Sequence, residues 1–165
     1  MKMSIENIKR LSMNTHFYSL LIQSFLTGYE KPCEFRLVFM ALPILIYKES
    51  REKLCNANKN SRIDTLFQSD QVVGDSKISG RTRLTGYIDR YNALKPYSKE
   101  SIIILCSENR VAINNEYKLI VLKKIEYKSF SGIVKKWLKC AYYLGLIFSK
   151  TTGDHLSYFL GVESK

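Results

Sequence analysis

The feature that most constrains the fold is an apolar run at residues 35–47, which reads FRLVFMALPILIY. Only Arg36 and Pro43 interrupt it. A run with no polar face should be buried on all sides, and it is shorter than the roughly 20 residues that span a bilayer. Proline removes a backbone donor and crowds the preceding turn, so we expect a kink or an end near residues 41–42. The sequence therefore predicts a core helix around which the other helices pack, and no membrane anchor.

Short-range signals place a helix on each side of this run. Asn14 or Thr15 can cap a helix that continues to about Thr27, with Gly28 at its C-terminal end. A short helix is expected at 50–54, and the Ser-x-x-Asp spacing from Ser61 predicts another.

The second half of the chain predicts a helix at 79–94, a turn at 95–97 caused by Pro96, and a helix at 98–107. An apolar seam with spacings of three and four residues predicts a long helix at 129–150. The residues TTGD at 151–154 should start one more helical turn by the same capping logic, and Gly161 should close it.

The alternation of apolar side chains changes to a period of two at residues 111–121. Asparagine tolerates the left-handed conformation of a tight turn, so Asn114-Asn115 predicts a β-hairpin with a two-residue turn. The predicted fold is mainly α with one β-hairpin, comprising a helical N-terminal half and a winged-helix-like C-terminal half.

The chain length fits one domain, residues 1–165. Within it we expect a helical sub-lobe at 13–68 and a winged-helix-like sub-lobe at 78–162. The polar segment 69–77 between them is the predicted hinge.

The charge is strongly unbalanced: Lys and Arg number 26, Asp and Glu 15, and the formal net charge is +11. Such an excess favours a polyanionic partner, either nucleic acid or an acidic protein surface. The alternative is that these charges only solvate outer faces. Four widely spaced cysteines and the absence of an apolar leader segment predict a cytoplasmic protein with reduced thiols; they are Cys33, Cys55, Cys106 and Cys140.

An enzyme is poorly supported by the sequence. His16 and His155 stand alone, and no metalloprotease, nucleophile-elbow or phosphate-loop motif is present. The carboxylates that a metal nuclease would need have no common spacing; they are Asp64, Asp70, Asp75, Asp89 and Glu100. We therefore predict a non-enzyme without cofactor or metal, with a small nuclease as a minor alternative.

The order helix, helix, hairpin, helix resembles a winged helix-turn-helix, in which basic side chains contact phosphates. Such folds also serve as protein–protein modules. The predicted nucleic-acid-binding residues are Arg81, Arg83, Arg90, Lys95, Lys99, Lys123, Lys124, Lys135 and Lys139. Tyrosines combine a large ring with a polar tip, so four of them are candidate contact residues, namely Tyr29, Tyr142, Tyr143 and Tyr158.

Three segments of the sequence together carry a resemblance to a known family. The first is LPILIYKESREKL at 42–54, an apolar proline-containing helix followed by a Ser-Arg turn. The second runs from Arg90 through Leu94 to the residues PYSKE at 96–100, and Asn109 stands where glycine would be expected after it. The third is a closing pattern formed by Ala141, Leu144, Gly145, Phe148, Leu156, Leu160, Gly161 and Val162.

Together these segments resemble the small middle components of three-component ABC-ATPase systems found in bacterial conflict loci. The resemblance, which covers about residues 14–162, implies a role that the residues alone do not. Such proteins would bridge a DNA-sensing ABC/SMC-like ATPase and a separate effector, often a nuclease, as in Menshen-like antiphage systems. The basic surface would then lie near DNA held by the complex or against an acidic partner. The alternative is a stand-alone winged-helix DNA-binding regulator.

Overall fold

The computed structural model describes residues 14–67, 71–73, 76–78 and 84–162, the two short segments by their backbone alone. The described part is mainly helical, which confirms the predicted class. In chain order its elements are α1 (Thr15–Tyr29), α2 (Phe35–Ile46), α3 (Lys48–Cys55), α4 (Ile63–Phe67), β1 (Gln71–Val73), β2 (Ser76–Ile78), α5 (Tyr87–Ser107), β3 (Val111–Ile113), β4 (Leu119–Val121), a 3₁₀ turn (Tyr127–Ser129), α6 (Gly132–Phe148) and α7 (Gly153–Leu160).

The most extensive helix packing joins α1 to α6. Gly28 and Gly145 lie where the two backbones touch. A Cβ added to Gly28 would lie 1.9 Å from the Tyr142 carbonyl oxygen, and one added to Gly145 would lie 1.9 Å from the Phe25 carbonyl oxygen. Gly28 was predicted to end α1, and that prediction is wrong: the helix continues to Tyr29, and Glu30 takes the left-handed conformation.

The apolar run forms α2, which contacts α1, α3, α5 and α6. Helix α2 continues through Pro43 to Ile46, so it does not end near residues 41–42. Burial is less complete than predicted, because Phe35 and Phe39 are only partly buried.

Helix α5 contradicts the predicted helix–turn–helix. It is continuous from Tyr87 to Ser107 with Pro96 inside it, and residues 84–86 precede it as a turn. Because Pro96 has no backbone N–H, the carbonyl of Asn92 lacks its usual helical donor. Both residues are exposed, so water can bind that carbonyl. The buried face farther along α5, which includes Ile102 and Leu105, keeps the helix in one piece. The winged-helix detail of the prediction is therefore not confirmed.

The hairpin of β3 and β4 is confirmed, with Val111 opposite Val121. Its turn is longer than predicted and spans residues 114–118. The Asn114 side chain accepts from the backbone amides of Glu116 and Lys118 at 3.0 and 2.9 Å. Asn109 has φ of 53°, which is the conformation that glycine or asparagine tolerates best.

Within the predicted hinge, β1 and β2 pair antiparallel, with Gln71 opposite Ile78. No strand was predicted there. The hinge and the two sub-lobes stay predictions, although buried residues from before and after this segment belong to one core cluster.

We predict that Gly145→Ala destabilises the protein by about 1–3 kcal/mol, because the new methyl group overlaps the α1 backbone. Without that overlap the same change would stabilise a helix by about 1 kcal/mol. The free energy of unfolding in urea measures the effect, and Lys136→Ala at an exposed position of α6 is the control. A variant as stable as the native protein would contradict the close packing.

Candidate interaction surface

The seven predicted nucleic-acid-binding residues that the structure describes lie in three different parts of the chain. Arg81 and Arg83 lie outside the described residues. Arg90, Lys95 and Lys99 are on α5, Lys123 and Lys124 follow β4, and Lys135 and Lys139 are on α6. Their role in binding nucleic acid stays a prediction, and the contacts of each residue decide how readily it could reach a phosphate.

Arg90 is engaged within the chain. Its Nε donates to the Pro43 carbonyl at 3.2 Å, and one terminal nitrogen donates to the Thr85 carbonyl at 2.5 Å. Its guanidinium carbon lies 3.8 Å from the centre of the Tyr47 ring. These contacts give Arg90 a structural role that the sequence alone did not reveal.

Arg51 and Ser50 complete the same arrangement at the end of α2. Ser50 Oγ donates to the Ile44 carbonyl at 2.5 Å, and one Arg51 nitrogen donates to the carbonyls of Leu45 and Ile46 at 2.9 and 3.0 Å. The Arg51 guanidinium carbon also lies 3.7 Å from the Trp137 ring centre on α6. Burial lowers the pKa of both Arg51 and Arg90, but an arginine remains charged at neutral pH. The four carbonyls of residues 43–46, which have no partner inside the helix, are thus all satisfied.

Three tyrosines form a cluster beside the loop that follows β4. The ring centres of Tyr127 and Tyr142 are 5.4 Å apart, as are those of Tyr142 and Tyr143, and Tyr127 is 6.4 Å from Tyr143. Burial raises the pKa of Tyr127 and Tyr142, so both hydroxyls stay protonated and can donate hydrogen bonds. We call Tyr127, Tyr142 and Tyr143 the tyrosine cluster.

Lysines surround the tyrosine cluster. Lys139 Nζ lies 5.9 Å from the Tyr143 ring centre. The exposed Lys124 and Lys128 line a shallow groove beside the cluster together with Glu30 and Glu126. Of the predicted residues, Lys124 lines this groove, whereas Lys139 approaches only the Tyr143 ring of the cluster and also donates to the Cys55 carbonyl at 3.5 Å. Lys128 was not predicted, because only its position next to the tyrosine cluster in the fold identifies it as a candidate.

The loop that carries these lysines is fixed to α1. Gln23 is buried, and its Nε2 donates to the Lys123 carbonyl at 2.7 Å while its Oε1 accepts from Arg110 at 2.9 Å. Thr27 Oγ1 accepts from the Ile125 amide at 3.2 Å. Lys124 thus projects from a segment whose backbone is held at both neighbouring residues.

The groups considered for catalysis are dispersed in the described residues. No set of three or more His, Cys, Asp or Glu side chains that could hold a metal occurs there. His155 contacts only Asp64 among the acids described, at 3.3 Å between Nε2 and Oδ1, and Asp89 and Glu100 are exposed on α5. Cys140 Sγ lies 3.7 Å from Cys55 Sγ, and burial raises the pKa of Cys140 to about 12, which makes it a weak nucleophile.

We predict that Arg90→Lys destabilises the protein by about 1–2 kcal/mol although it keeps the charge. The ammonium group cannot reproduce the two carbonyl bonds and the flat stacking on Tyr47. Urea unfolding provides the measurement, with Lys99→Gln at an exposed position of the same helix as the control. If Arg90→Lys were as stable as the native protein, the structural role of Arg90 would be contradicted and the residue would be available to bind a phosphate.

None of the described helices combines the length and the apolar character needed to cross a bilayer. No curated protein and no solved structure matches the chain. A family model described as ABC-three component (ABC-3C) system Middle Component 3 matches residues 3–164. Since the match covers nearly the whole chain, the protein belongs to the family of ABC-3C system Middle Component 3.

Proposed function

We propose that this chain is a non-catalytic adaptor that bridges an ABC/SMC-like ATPase subunit and an effector nuclease subunit in an antiphage defence complex. Membership of a middle-component family over residues 3–164 is the observation that carries the proposal, because a middle component has partner subunits in a three-component system. The bridging role, the nuclease and the defence role go beyond that membership.

The placement of the family-like segments supports a role without chemistry of its own. The α2 carbonyls accept hydrogen bonds from the side chains of Ser50, Arg51 and Arg90. The backbone of α1 fills the space beside Gly145. These residues therefore stabilise the fold. An adaptor needs a stable body with contact surfaces, and this arrangement supplies the stable body.

The adaptor role predicts a stable assembly with both products of the neighbouring genes. Co-expression of all three chains, followed by affinity purification on this subunit and size-exclusion chromatography, should yield a complex that contains the ATPase and the effector. Omission of this subunit should separate the ATPase from the effector. An ATPase–effector complex that forms equally well without it would contradict the bridging role.

DNA contact through the assembled complex is a second part of the proposal. The tyrosine cluster with Lys124 and Lys128 supports it, because aromatic rings and cations beside one groove suit the bases and phosphates of nucleic acid. The stand-alone regulator is less well supported, since α5 is continuous where a helix-turn-helix would need a turn.

We predict that Lys124→Gln with Lys128→Gln weakens DNA binding by the complex. Each lost phosphate contact should reduce the slope of log affinity against log salt by about 0.9, hence by about 2 in total. Fluorescence anisotropy across a salt series measures the slope. The double variant Lys48→Gln with Lys59→Gln, also exposed lysines, removes the same charge elsewhere. Equal slopes for the two double variants would show that only the net charge matters, and would contradict a specific contact of Lys124 and Lys128 with DNA.

A further inference from the structure

Exposed apolar side chains gather along one side of α5. Ile88, Ile103, Ile113 and Tyr158 expose 40%, 67%, 51% and 87% of their surface. They line three adjoining depressions, which we call together the α5 groove. The first lies between α2, α5 and β3 and contains Ile103 and Ile113; its volume is about 560 Å³.

The α5 groove is continuous from α7 to the hairpin. Phe39 belongs to both the first depression and a middle one of about 550 Å³, and Ile88 belongs to both the middle one and a third of about 580 Å³ beside Tyr158. From Ile88 to Ile103 the helix rises about 22 Å, at about 1.5 Å per residue. That length matches four turns of a second helix laid along the groove.

The charge of the first and middle depressions indicates the sign of the partner, whereas the third depression contains Asp89. Lys95 and Lys99 lie in the middle and first depressions, and among the described residues that line these two there is no Asp or Glu. Lys95 Nζ lies 5.8 Å from the ring centres of both Phe39 and Tyr91, so its charge is held over the apolar floor. Arg36, the other cation of the middle depression, is already paired with Glu34 and Asp154.

We propose that the α5 groove binds an acidic amphipathic helix of a partner subunit, with its apolar face on Ile103 and Phe39 and its carboxylates toward Lys95 and Lys99. Apolar anchors in a groove are how amphipathic helices are recognised, and opposite charge favours encounter and register. The proposal rests on the adaptor function and names the chemistry of one of its partners.

Two other occupants fit the charge less well. A second copy of this chain would bring a further net charge of +11 to the groove. The N-terminal segment 1–13 carries Lys2, Lys9 and Arg10 against Glu6, so it is basic as well. An apolar floor distinguishes the groove from a phosphate track, which needs charge and hydrogen-bond donors.

The first experiment compares how the Ile103→Glu and Ile133→Glu variants of this subunit bind each of its two partners. Ile133 is also exposed, at 42%, but lies on α6 outside the groove. The probes are the purified ATPase and effector subunits from the same locus, titrated separately by calorimetry. Ile103→Glu should weaken binding to one of them at least tenfold and Ile133→Glu should not, while thermal unfolding shows that both variants fold. Equal binding by both variants would overturn the groove as a docking site.

The second experiment identifies the occupant. A photoreactive benzoylphenylalanine at position 103, with position 133 as the control, is irradiated in the wild-type complex and the cross-linked peptide is sequenced. We expect an acidic helical segment of one partner subunit. A cross-link to a second copy, to segment 1–13 or to added DNA would overturn the proposal, as would none at all. If the complex forms but the groove result is negative, the adaptor function survives alone; if no complex forms, both fail.

Discussion

The end of α2 is the place on which the rest of the structure depends. An apolar helix can be buried only if the last carbonyl groups find donors, because each unpaired buried carbonyl costs about 1–3 kcal/mol. Helix α2 has no basic residue in its last turn, so the donors come from outside: Ser50 and Arg51 from α3 and Arg90 from α5. Two cations at a helix C-terminus also oppose the negative end of its dipole. The same bonds therefore close α2 and fix where α3 and α5 begin.

A second constraint brings α1 and α6 together. Ser24 and Gly28 are four residues apart on α1, as are Ala141 and Gly145 on α6, and small residues at this spacing let two helices approach closely. Ser24 Oγ also donates to the Leu138 carbonyl at 2.7 Å. Arg51 links the two constraints, since its guanidinium covers Trp137 on α6 while it caps α2. The three segments that resemble the middle-component family thus contribute to one framework.

Local signals were predictable from the sequence, and tertiary ones were not. Asn14 caps α1 and Thr152 caps α7 through bonds to amides two and three residues away, and each is among the capping residues that the sequence predicted for the start of its helix. The prediction that Pro96 ends a helix was wrong. A proline inside a helix costs about 3 kcal/mol, and burial of the following turns of α5 outweighs that cost. The structural role of Arg90 was not predicted, because its hydrogen-bond partner, the Pro43 carbonyl, is 47 positions away in the sequence. The lysines were found by type, but only the fold selects Lys124 and Lys139 as neighbours of the tyrosine cluster.

The framework and the proposed contact surfaces use different side chains, and this separation is compatible with the adaptor role proposed above. Ile103, Lys128 and Ile113 are exposed and take no part in the capping of α2 or in the close approach of α1 and α6. Substitutions at exposed positions usually change stability by less than about 0.5 kcal/mol, whereas they can change affinity for a partner tenfold. Binding strength can therefore be altered without loss of the fold. The residues that the framework holds most tightly, such as Ser50 and Arg51, are occupied in building it.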